Sequence, residues 1–100
     1  MAHSTVTPSA RKIVRIRARP GLAEVARNAL LDLERDTRAE AGCRSFTFFQ
    51  ALAEPDAFLL VEEFADEQAL AIHMDLPHTR AFFSRDLVAE IAPFEQGWMS

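Results

Sequence analysis

The order in which hydrophobic periodicity changes along the chain constrains its fold most. From Lys12 to Ala18, KIVRIRA alternates, with Val14, Ile16 and Ala18 on one face and Ile13, Arg15 and Arg17 on the other. A period of two predicts a strand. Pro20 and Gly21 end it. Leu22, Val25, Ala26, Ala29, Leu30 and Leu33 then recur at helical spacing, which predicts a helix over about 22–40. Glu34 and Arg38 form an i,i+4 pair on its polar side, and Gly42 stands where a C-terminal glycine cap belongs. The segments CRSFTFFQAL from Cys43 and FLLVEEFA from Phe58 flank the turn Glu54-Pro55-Asp56 and predict a hairpin. Asp66 is an N-cap candidate for a helix running to about Asp75. Pro77 interrupts that helix, because it lacks an N–H and disfavours helix at Leu76. Phe82, Phe83, Leu87 and Ile91 continue as a second apolar stripe, and a final strand is expected from about Phe94.

The resulting order, β-α-β-β-α(α)-β, predicts an α+β fold: an antiparallel sheet with its helices on one face, the ferredoxin-like arrangement. A chain of 100 residues allows one domain, expected over 11–100, behind a flexible N-terminal arm at 1–10. The helices suffice to cover one sheet face, so a second copy is the expected cover for the other. Eight Phe and one Trp, with no Tyr, are a large apolar load for so small a core. Phe46 and Phe48 share a strand face and Phe49 lies opposite, as suits a sheet covered on both sides.

Charge and motifs narrow the function. A net charge of −4 argues against nucleic acid. The Arg15, Arg17, Arg19 stripe therefore reads as a strand face meeting carboxylates. An RNA-recognition sheet of similar order needs a basic, aromatic third strand; FLLVEEFA carries two acids instead. No apolar run reaches the roughly 18 residues of a membrane span. The polar start MAHSTVTPSARK is no secretory signal and the single cysteine forms no internal disulfide, so a cytoplasmic location is expected. Neither glycine-rich phosphate motif occurs.

His73 and His78 are the first candidates for chemistry. As a metal pair they are poorly spaced, roughly 140° apart on a continuous helix, with Pro77 between them. No cysteine cluster or third histidine completes a tetrahedral site, so no metal is expected. Either ring suits a general base. The plainer accounts are a hydrogen-bonded core residue for His73 and a local cap or surface contact for His78. Glu62 shares a strand face with Leu60 and Phe64; it is buried if Val61 faces solvent, and otherwise Glu63 is. A buried carboxylate near His73 would orient its ring. Cys43 has no electropositive setting and reads as a small packing residue.

Several of these pieces form an ordered set: Glu40-Ala41-Gly42-Cys43, Pro55-Asp56-Ala57-Phe58, Glu62-x-Phe64-x-Asp66-Glu67-x-Ala69-Leu70, His73, and Pro77-His78. Over about residues 11–92 this set resembles the antibiotic biosynthesis monooxygenase family of dimeric α+β barrels. The resemblance implies a homodimer with its sheets face to face and a pocket between helices and sheet in each subunit. It also implies oxidation of a small aromatic ligand, quinol or polyphenol-like, by O2 without a cofactor. In that setting His73 or His78 would be the base and Glu62 the orienting group. Phe46, Phe48, Leu60, Phe64, Phe82 and Phe83 would be the pocket walls. The chain departs from quinol-oxidising relatives in having no Tyr, and Phe64 where a Trp or Tyr is usual. It lacks the strand-one Asn, the Trp and the axial His of the heme-degrading branch, so heme degradation is disfavoured. A non-catalytic or regulatory ligand binder on the same barrel is the alternative, and isomerase-like or signal-processing chemistry on a small metabolite is a third.

Overall fold

The computed structural model describes residues 8–94. Four strands and three helices follow one another as β1 (Ala10–Ala18), α1 (Ala23–Arg38), β2 (Cys43–Gln50), β3 (Ala57–Phe64), α2 (Glu67–Asp75), α3 (Pro77–Ser84) and β4 (Val88–Pro93). The strands make one antiparallel sheet in the order β2-β3-β1-β4. This is the ferredoxin-like α+β architecture expected from the periodicities.

Alternation decides which side chains meet the helices. In β3, Phe58, Leu60, Glu62 and Phe64 are buried in turn. Val14, Ile16 and Ala18 of β1 face the same way, opposite Leu60, Phe58 and the strand end. From α1, Ala26, Ala29, Leu30 and Leu33 close over them at helical spacing. Each fully buried large side chain in this layer contributes about 1.5–3 kcal/mol. Val25, read as part of that stripe, is instead 42% exposed. Strand β2 lies at the sheet edge, where unpaired backbone groups invite pairing with another chain. Here α1 satisfies them: Glu34 accepts from the Phe48 N–H at 2.8 Å, and Arg38 donates to the Phe46 carbonyl at 2.9 Å.

Two local expectations are corrected. Gly42 is not a helix cap. α1 ends in Ala39 with right-handed backbone, and Gly42 has no positive φ. Its lack of a side chain serves packing instead, since a Cβ there would lie 2.6 Å from the Ala69 Cβ. The last strand starts at Val88 rather than near Phe94, and Leu87 and Ile91 do not extend a helix. α3 stops because Asp86 adopts φ 54, a left-handed value that Asp tolerates better than most residues. Arg19 holds that turn, with its guanidinium on the Asp86 carboxylate at 2.7 Å and on the Asp86 carbonyl at 3.0 Å. The first strand begins at Ala10, which is 2% exposed. The expectations for an arm over 1–7 and for the course of 95–100 lie outside the described residues.

The arginine stripe meets carboxylates. Arg17 reaches Asp56 at 3.0 Å and Glu54 at 3.3 Å, Arg19 reaches Asp86, and Arg15 lies 4.0 Å from Glu90. The sheet face away from the helices carries Ile13, Phe49 and Val61, exposed at 44, 55 and 37%. No helix among the described residues is long and apolar enough to cross a membrane.

Candidate functional site

The polar groups that meet inside the fold come from three places in the chain. After α1, the backbone turns through Glu40, whose carbonyl accepts from the Cys43 N–H at 3.1 Å. The turn carries the Glu40 side chain inward, where it is 10% exposed. In α2, started by the Asp66 carboxylate accepting from the Ala69 N–H at 2.8 Å, His73 is the buried residue. Its ring rests on Phe64 and Phe46, with centroids 4.9 and 5.3 Å away. The helix then breaks. Leu76 is extended at ψ 152, and Pro77 opens α3 at a position where its missing N–H costs nothing.

That break changes the relation between the two histidines. A continuous helix would hold them roughly 140° apart. Here their ring centroids are 6.2 Å apart and both rings face Glu40. His73 Nδ1 lies 2.9 Å and His78 Nε2 2.6 Å from the same carboxylate oxygen, Oε2. The Thr79 hydroxyl, itself buried, stands 3.4 Å from His73 Nδ1. A carboxylate only accepts, so each facing nitrogen carries the proton of its hydrogen bond. When neutral, His73 is left with its lone pair on Nε2 and His78 with its lone pair on Nδ1. The carboxylate thereby sets the tautomer of both rings.

Glu62 does not fill the orienting role assigned to it. No hydrogen bond among the described residues joins it to either histidine; Glu40 takes that place. Val61 faces the open side of the sheet, so Glu62 is the buried member of the pair, 7% exposed, beside Phe46 and Lys12 in register. Burial pushes its carboxyl up to about 7, while the Lys12 ammonium pulls it part of the way back. Cys43 is half-buried, and desolvation raises its thiol, with the nearby charge of Glu40 adding to the effect.

The expected apolar walls do not share one cavity. Phe46, Leu60 and Phe64 are core residues, exposed at 1, 7 and 0%. Phe48 lines a cleft of about 210 Å³ between α1 and β2, with Leu30, Leu31 and Phe58. Phe82 joins His78 in another of about 160 Å³ between α1 and α3, with Asp32 and Asp36 at its rim. Phe83 packs edge-on against Phe82 and is 43% exposed, so it walls neither. The structure thus brings His73 and His78 together and adds Glu40 and Thr79, which had no assigned chemistry. Glu40 stood in the sequence only as part of the Glu40-Ala41-Gly42-Cys43 run. Its contacts span 33 and 38 residues, a separation that local spacing does not reveal.

Known proteins resemble this chain in sequence or in fold. YcnE of Bacillus subtilis, provisionally named a monooxygenase, is 25% identical over 80 residues, covering 80% of this chain and 84% of its own. The crystal structure of PA3566 from Pseudomonas aeruginosa superposes with a TM-score of 0.81 at 29% identity, covering 92% of this chain and 94% of its own. Rv0793 from Mycobacterium tuberculosis gives 0.70 at 28% identity, covering 90% and 99%. The model of the antibiotic biosynthesis monooxygenase family matches residues 10–85, and the chain belongs to that family.

Proposed function

We propose that this protein is a cofactor-independent monooxygenase that oxidises a small phenolic or quinol-like compound with O2. The observation that carries the reading is the part-buried Glu40 carboxylate holding His73 and His78, which leaves each neutral ring a defined basic nitrogen. An electron-rich phenolate can itself reduce oxygen, so the protein has to bind the phenol, take its proton and exclude water. For a simple phenol the balance is phenol plus O2 giving quinone plus water. One oxygen atom enters the ring and the other leaves as water, with the electrons supplied by the substrate. His78 is the more accessible base, with its side chain 25% exposed beside the cleft lined by Phe82. His73 is closed in by Phe46 and Phe64. The family and the monooxygenase name of YcnE support the same activity.

The working form in this proposal is a homodimer, with the second copy covering Ile13, Phe49 and Val61 on the open sheet face. Sedimentation of the wild type against Val61→Glu tests it: a dimer that the substitution splits is expected, and a monomeric wild type refutes it.

Oxygen uptake with a panel of hydroquinones and phenols tests the activity. Turnover is expected from the wild type, with a loss of about 10²–10⁴-fold on removing the base in His78→Ala or His73→Ala. Saturable binding of these compounds without oxygen uptake would instead establish the ligand-binding alternative. The absence of Tyr favours that alternative, since it leaves fewer polar groups to grip an oxygenated intermediate.

A further inference from the structure

We propose that Glu40, His73 and His78 form a binding site for one divalent transition-metal ion of the zinc class. Their ligand atoms, one carboxylate oxygen and two imidazole nitrogens, lie within 4.8 Å of one another. Zinc-class ions sit about 2.0–2.2 Å from such atoms. Ligands around one ion are then about 3.0–3.4 Å apart in octahedral or tetrahedral geometry. The two contacts to Oε2, 2.9 and 2.6 Å, have to open by about 0.1–0.8 Å, and the widest pair of ligand atoms, up to 4.8 Å apart, has to close by about 1.4–1.8 Å.

Charge points the same way. Glu40 is 10% exposed, and among the described residues its ionic partners are the two imidazoles alone; no Lys or Arg pairs with it. A largely desolvated carboxylate in this position lacks fixed positive charge, and a divalent ion supplies it. Two imidazoles and one carboxylate suit zinc, iron, nickel or copper and not magnesium or calcium, which take oxygen ligands. Three protein ligands leave at least one coordination position open. His78, at 25% side-chain exposure, provides the entry side, while Phe46 and Phe64 close the far side behind His73.

The sequence argued against such a site on two grounds, the helical spacing of the histidines and the lack of a third ligand. The break at Leu76-Pro77 removes the first, and Glu40, arriving from beyond α1, removes the second. Loading the site moves the proton of each ring to its opposite nitrogen, because the coordinating nitrogens must give theirs up. The basic nitrogens invoked for phenol oxidation are then capped. Binding itself does not depend on that activity and is measured without turnover.

The test uses the full chain stripped with EDTA, titrated with Co2+ followed by visible absorption and with Zn2+ followed by calorimetry and thermal unfolding. Saturation at one ion per chain is expected, with d–d bands of a four- or five-coordinate site and a rise in Tm that grows with free Zn2+. Glu40→Gln and His78→Ala should each weaken binding at least tenfold, with circular dichroism reporting their folding. His78 is the gentler change because it is half-buried. Absence of saturable binding in the wild type overturns the proposal. So does binding that His78→Ala and Glu40→Gln leave unchanged, which places the ion elsewhere on the chain.

Discussion

Replacing Glu62 by glutamine removes a buried charge while keeping the shape of the protonated acid. The carboxyl is held at about 7 against an ordinary 4.5, chiefly because burial penalises its charged form. That difference corresponds to about 3 kcal/mol at 1.36 kcal/mol per pH unit. Screening by water reduces the effect on stability to about 1–3 kcal/mol. The direction follows from linkage. Between 4.5 and about 7 the folded chain keeps a proton that the unfolded chain has lost. The Glu62 contribution is therefore most favourable below 4.5, declines as pH rises towards 7, and is flat above it. Glutamine does not titrate. The Glu62→Gln variant should match the wild type near pH 4.5 and exceed it by about 1–3 kcal/mol at pH 8, or very roughly 4–20 °C in Tm. Urea unfolding of both proteins at the two pH values, at one fixed protein concentration, measures the difference. A stability difference that does not change with pH would refute the reasoning, because Glu62 would then titrate alike in both states. A less stable variant at pH 8 would refute it too, by revealing a partner that the carboxylate needs.

Four further substitutions probe packing, burial and capping elsewhere in the fold. Gly42→Ala drives a Cβ to within 2.6 Å of the Ala69 Cβ, and should cost about 1–3 kcal/mol in a urea titration. Adding Ala69→Gly should restore part of that loss, a coupling that a double-mutant cycle reads directly. Thr37→Val removes a fully buried hydroxyl that has no hydrogen-bond partner among the described residues, and should raise the urea midpoint by the equivalent of about 1 kcal/mol. Asp66→Ala leaves the start of α2 uncapped and should cost about 0.5–2 kcal/mol, measured by thermal unfolding.

The residues differ in how openly they declare their roles. KIVRIRA declared itself a strand because one of its faces is core and the other carries paired charges, so burial and alternation coincide. α1 was legible for the same reason at a period of 3.6. The start of β4 was not, because Phe82, Phe83, Leu87 and Ile91 keep an almost helical spacing across a break. That break is made by Asp86 and held by Arg19, a contact across 67 residues. Gly42 shows a different ambiguity: a glycine after a helix serves equally as a cap or as a point of close approach, and the neighbour that decides it, Ala69, lies on another helix. Of the site, both histidines were visible as candidates, but their common partner was not. Glu62 was the obvious acid by strand alternation, and Glu40 reaches the rings through a turn whose path local pattern does not report.

The interruption at Leu76-Pro77 has a consequence for how the site comes into being. His73, His78 and Thr79 lie within one short stretch of chain, and only Glu40 arrives from a distance. Helices of nine and eight residues are too short to hold their form alone, so the rings are held near one another only once the stretch packs on the rest of the fold. The hydrogen-bonded cluster is complete when the end of α1 docks and delivers the carboxylate. Completion of the site is therefore a report on one docking event, and amide exchange at α2 and α3 should slow in step with it.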